Sequence, residues 1–163
     1  MPPKNQRWWL TEDSVSLEID AHADTLYAMV SDLPRIGEWS PECESVTWEG
    51  EVDTPVAGTE FVGQNAVGPG RRIRYKRHGT VLTAEPGKAF SFITDEGGRP
   101  STAWHYTFED LGGGRTRVTE GYEVRWIPTW ARIIDVPTNR HKDLLEGMRT
   151  TLANLKATAE AGR

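Results

Sequence analysis

Hydrophobic residues first recur with a regular period at Val15, Leu17 and Ile19, alternating with Ser16 and Glu18. Alternation sends successive side chains to opposite faces, so residues 14–20 are predicted to form a half-buried strand. Residues 1–13 carry no usable period and are expected to form an N-terminal arm, which Trp8 and Trp9 suggest lies against some other surface. Over residues 23–42 the period changes. Leu26, Tyr27 and Val30 share one helical face, Asp24 is placed to cap it, and Pro34 breaks it, which predicts two short helices.

From residue 43 to 126 the period is two, with turn chemistry at regular intervals. Six strands are predicted, "CESVTWEG", "GTEFVGQNAV", "RRIRYKRHGTVLTAEP", "KAFSFITDE", "STAWHYTFED" and "RTRVTEGYEVRW". The connections between them are short, so neighbours in sequence should pair antiparallel in space. After Pro128 the apolar positions fall three and four apart, from Trp130, Ile133 and Ile134 through His141, Leu144, Leu145 and Met148 to Leu152 and Leu155. This predicts one face of a long helix over about 138–160, begun or kinked at Pro137, with a shorter helical stretch ahead of it. No repeat or linker divides the chain, so residues 14–163 are expected to be one α+β domain. In it a curved antiparallel sheet of about seven strands wraps a long C-terminal helix, and the two short helices lie between the first two strands.

This order of elements resembles the helix-grip fold of the START-like, or polyketide cyclase/dehydrase-like (SRPBCC), superfamily. More narrowly, "WSPEC", "GTEFVGQN", "EPGKAFSF", "STAWHYTFEDLGGGRTRVTE" and "GMRTTLANLKATAE" are similar to START-like proteins common in actinobacteria. The likeness covers roughly residues 14–160. It implies lipid carriage, aromatic polyketide cyclisation or hormone reception rather than any single activity.

Charge narrows the field. A formal net charge of -5 and a pI near 5.4 argue against nucleic-acid or anionic-membrane binding. The basic run "RRIRYKR" fits this view, because Arg72, Arg74 and Lys76 alternate with Ile73 and Tyr75 as a solvated outer face does. One cysteine and no signal-like apolar N-terminus point to the cytoplasm, and no apolar run approaches the length of a membrane span. No histidine pair has metal-ligand spacing, so neither a metal nor another cofactor is expected. Only 37% of residues are hydrophobic, but seven tryptophans, four tyrosines and four phenylalanines give those few a large packing area.

Alternation assigns these rings to an inner face. Trp104 and Tyr106 share one side of their strand, Phe90 and Phe92 one side of another, and Phe61 shares a face with Gly63 and Asn65. On the following strand Glu120 lies between Val118 and Tyr122 on the apolar side. A carboxyl there needs a donor or a raised pKa, as a structural bond or as a functional contact. Gly63 leaves room, and Asn65 either faces the cavity or bonds a neighbouring loop. From the helix His141, Leu145 and Met148 face the sheet, His141 as a satisfied structural residue or as a proton carrier.

In "EWSPEC" the proline fits a helix-to-strand boundary, while Glu42 and Glu44 favour the neutral thiol of Cys43, which argues against a nucleophile. The family resemblance puts this segment near the cavity mouth, so Trp39 is either a gate over ligand or a plug pinning the short helices to the sheet. The expected function is binding of a small, largely hydrophobic ligand, lipid-, aromatic- or polyketide-like, by a monomer or homodimer. The alternative is a cyclase or dehydratase using the same cavity, with Glu120, Asn65 or His141 as the group that moves a proton or orients a carbonyl.

Overall fold

The computed structural model of the protein describes residues 12–138 and 140–162. Its elements are β1 (Glu12–Ile19), α1 (Ala23–Ser31), a 3-10 turn (Leu33–Glu38), β2 (Cys43–Trp48), β3 (Glu60–Val67), β4 (Ile73–Glu85), β5 (Ala89–Glu96), β6 (Arg99–Gly112), β7 (Arg115–Val124), α2 (Thr129–Thr138) and α3 (Arg140–Ala161). The seven strands form one antiparallel sheet in the order β1-β7-β6-β5-β4-β3-β2. It is therefore a meander from β2 to β7, with β1 brought back beside the last strand.

Three local expectations are corrected. β1 starts at Glu12, inside the expected arm, whose remaining residues with Trp8 and Trp9 lie outside the described residues. Asp24 does not cap α1: His22 holds the N-cap position without a side-chain bond, and Asp24 sits in the first turn, where a carboxylate suits the helix dipole. The C-terminal region is a shorter helix followed by a long one, as expected, but the break falls around residue 139, which lies outside the described residues, and not at Pro137, since α2 stays helical through Pro137 to Thr138.

The two helices differ in burial. Met148, Leu152 and Leu155 of α3 are buried against the sheet, whereas Trp130, Ile133 and Ile134 of α2 are 60%, 69% and 54% exposed. The apolar stripe therefore does not continue into the core across the break. Trp130 and Ile134 of α2 instead border a cavity.

The concave face carries the alternating set. Phe61, Phe90, Phe92, Tyr106, Phe108 and Val118 are all buried, together with Leu26, Val30, Leu33 and Ile36 from the segment between β1 and β2. The rings meet edge to face, Phe61 against both Phe92 (5.5 Å) and Trp48 (6.1 Å), which suits their quadrupoles. α3 packs on β1 and β7, α1 on β5 and β6, and the 3-10 turn on β2. Polar ties hold the far end of α3: Lys156 Nζ donates to Glu18 O (3.0 Å), and Glu160 accepts from Asp20 N (3.0 Å).

Glycine at position 79 on β4 makes the Phe61 packing possible. A Cβ there would stand 2.2 Å from Cζ of the Phe61 ring, which pairs across the strands at this level. Gly79→Ala should therefore cost about 1–3 kcal/mol of stability in urea titrations, because the ring must leave its place among Trp48 and Phe92. Wild-type stability would mean that Phe61 has space to move.

Candidate functional site

Between the concave face, the 3-10 turn and the start of the C-terminal helices lies a cavity of about 530 Å³. The sheet opens it because α3 covers only the β1 and β7 side and α1 only part of β5 and β6, leaving the rest of the inner face from β2 to β6 without a helix. Of the predicted residues, Phe61, Asn65, Phe92, Trp104, Tyr106 and Glu120 lie in its wall. Gly63 lies there too. A Cβ at that position would meet only ordinary contacts at 3.9 Å, so the glycine widens the cavity rather than admitting a neighbouring backbone.

Six other predicted residues fall outside the wall. Trp39 is 2% exposed within the core, with the Arg35 guanidinium over its ring and its carbonyl accepting from Asn154 Nδ2 (3.0 Å). That is the plug arrangement rather than the gate. Phe90 sits behind the wall, packed on Phe92 and Tyr27. Tyr122 backs Trp104 at 5.6 Å, and its hydroxyl is 2.5 Å from His141 Nδ1, while His141 Nε2 is 3.4 Å from Asp13 Oδ2. Both imidazole nitrogens are thus engaged in fastening α3 to β1 and β7. Met148 is buried on the same helical face, and Leu145 is half-buried there.

The face of α3 that does reach the cavity is a neighbouring one, carrying Arg140, Asp143 and Leu144. These are three and four residues apart and share a side, displaced by about 100° from the side predicted. The prediction followed the most apolar stripe, which the core takes.

Sequence reasoning also missed the polar part of the wall. Tyr75 donates its hydroxyl proton to Glu42 Oε1 (2.5 Å), and Arg140 Nη2 donates to the same oxygen (2.5 Å). One carboxylate thus joins β4, the segment before β2, and the first residue of α3. Nearby, Arg77 pairs with Glu96, donates to the Asp95 carbonyl (3.2 Å) and lies over the Tyr75 ring. Alternation did place Tyr75 inward with Ile73, and Arg77 shares that parity. The crowd of basic residues around it hid the distinction. Burial, followed by the Glu42 charge, drives the Tyr75 phenol far above its ordinary range, so it remains a donor.

Glu120 belongs to the wall and is 4% exposed. Its Oε1 accepts the Tyr106 hydroxyl proton at 2.8 Å, while its Oε2 has no hydrogen-bond partner among the described residues. Burial raises its pKa to about 8, the Tyr106 bond pulling the other way. Burial, then Glu120 itself, holds the Tyr106 phenol well above its ordinary range. Cys43 also lines the cavity, its thiol pushed up to about 12 by burial and, to a smaller extent, by Glu42 and Glu44. It is a neutral thiol and not a ready nucleophile.

A curved antiparallel sheet gripping a C-terminal helix, with a cavity between them, defines a START-like helix-grip protein. The chain belongs to the polyketide cyclase / dehydrase and lipid transport family, whose model matches residues 12–160. It is 30% identical to the polyketide cyclase-like protein of Corynebacterium glutamicum, covering 99% of this chain and 95% of that one with a TM-score of 0.64. A START superfamily protein of Mycobacterium smegmatis shares the fold at 14% identity, covering 94% of this chain and 99% of that one (TM-score 0.62). The di-domain aromatase/cyclase (ARO/CYC) of the steffimycin biosynthetic pathway shares it at 15% identity, covering 98% of this chain and 54% of that one (TM-score 0.73). No curated protein matches the sequence.

The buried carboxyl links stability to pH. Its pKa is about 8 in the folded chain against an ordinary 4.5, so between these values the native state binds the extra proton. Its contribution is fully present below the lower value and is lost as pH rises through the upper one. Glu120→Gln cannot ionise, so its stability relative to wild type should improve by on the order of a few kcal/mol between about pH 5 and about pH 9 in denaturant titrations. Parallel stability profiles would show that the carboxyl ionises normally.

Proposed function

We propose that the chain binds a small, largely hydrophobic ligand, aromatic, lipid- or polyketide-like, in the cavity between the sheet and the C-terminal helices. The observation that carries this reading is the cavity itself. Its volume of about 530 Å³ falls in the range of small-molecule sites, and its wall combines the rings of Phe61, Phe92 and Trp104 with a few placed polar groups. The family's own description, which names lipid transport beside cyclase and dehydrase activities, supports an apolar guest. Trp104 offers an indole as reporter within the wall, and Gly63 offers a place to fill it.

A second reading, an enzyme of the cyclase or dehydratase type using the same cavity, is favoured by Glu120. An acid that keeps its proton near neutrality can polarise a carbonyl or return a proton to an enolate, and a reactive chain held in a shaped pocket needs little more. On that reading Glu120→Gln abolishes turnover of a poly-β-ketone substrate while the melting temperature at about pH 6 stays close to wild type. Unchanged turnover would remove the enzymatic role.

For the binding reading, aromatic hydrophobic probes should quench Trp104 fluorescence saturably, and Trp104→Ala should remove that component. Gly63→Leu should weaken binding by about tenfold or more with little change in melting temperature, since its side chain enters the cavity and not the packed core. Binding unaffected by Gly63→Leu would place the probes elsewhere on the molecule.

A further inference from the structure

We propose that Glu120 serves in the cavity wall as a hydrogen-bond donor, and that the natural ligand presents to it a neutral carbonyl oxygen, of a ketone or an ester. This rests on the cavity-binding reading and narrows it. Glu120 Oε1 is occupied by the Tyr106 hydroxyl, whereas Oε2 is buried, forms no bond among the described residues, and belongs to a residue of the cavity wall. An ionised carboxylate has about four acceptor positions, and among the described residues only one donor reaches it. A protonated carboxyl fits the site better: Oε1 is the acceptor that Tyr106 needs, and the Oε2 hydroxyl is a donor that lacks an acceptor.

The neighbours agree with this protonation state. Tyr106 on β6 and Cys43 on β2 are both held in their neutral forms, and burial favours the neutral carboxyl. The cations of the wall serve other anions, Arg77 on β4 that of Glu96 on β5, and Arg140 on α3 that of Glu42. Asp143 on α3 and Asp95 on β5 bring carboxyls and no cation to the wall. A ligand carboxylate would meet an acid with no counter-charge. A carbonyl oxygen takes the proton's hydrogen bond without any change of charge, and this separates ketones and esters from plain hydrocarbons.

Two naphthalene probes test the assignment, 6-propionyl-2-(dimethylamino)naphthalene and its analogue without the propionyl group, titrated by fluorescence. Wild type at about pH 6 should prefer the ketone by about five- to tenfold, the worth of one buried hydrogen bond. At about pH 9.5 the proton has left, and the preference should collapse. Glu120→Gln can turn its carbonyl to Tyr106 and its amide N–H to the ligand, so it should keep the preference at both pH values. Glu120→Leu should lose it at both. Equal affinity of the two probes for wild type at the lower pH, or an undiminished preference in Glu120→Leu, would overturn the proposal. Failure of both probes to bind would count against the cavity reading itself and remove the proposal with it.

Discussion

A twisted sheet of seven strands is too wide for one helix to cover. Strands about 4.8 Å apart span roughly 30 Å, while a helix with its side chains is about 10 Å across. In this chain α3 sits on β1 and β7, and α1 takes part of β5 and β6. The remaining inner surface, from β2 to β6, must either be filled by its own side chains or enclose space. Phe61 is held back into the sheet by the missing Cβ of Gly79, and Gly63 contributes no side chain, so space remains. The cavity follows from that mismatch of widths together with two glycines.

Most of the fold could be read from the chain because each signal was local. Strict alternation such as Trp104, Tyr106 and Phe108 fixes both a strand and its inner face, and the short turns fix which strands are neighbours. Glu120 was visible for the same reason, as a polar residue in phase with an apolar set. Legibility ended where position depends on distant groups. That α3 would turn Leu144 to the cavity and Leu145 and Met148 to β1 and β7 is decided by packing between elements far apart in sequence, and two apolar residues side by side do not reveal it. Glu42, Tyr75 and Arg140 were missed because an ion pair between residues about a hundred positions apart leaves no periodic trace, and Arg77 was submerged in a run of basic residues.

The wall separates two kinds of electrostatics. Toward α3 and the ends of β4 and β5 stand two pairs of full charges, Glu42 with Arg140 and Glu96 with Arg77. Around Glu120 the titratable groups, Tyr106 and Cys43, stay uncharged because they have been taken out of water. A guest spanning both regions would meet fixed charge at one end and neutral donors at the other. Such a polarity gradient orients a molecule within the cavity more surely than the rings do, since aromatic contacts are tolerant of sliding.

The return of β1 to the side of β7 has a consequence for how the molecule is made. Val15 pairs with Glu120, so the strand that backs the buried acid comes from the opposite end of the polypeptide. During synthesis β2 to β6 can zip together as each hairpin emerges, but the first strand has no partner until the seventh has left the ribosome. Its greasy side and the bed for α3 stay wet until that late encounter, and the entropy of closing so large a loop falls on this one step. The pocket wall around Glu120 is therefore among the last parts of the nascent chain to take shape.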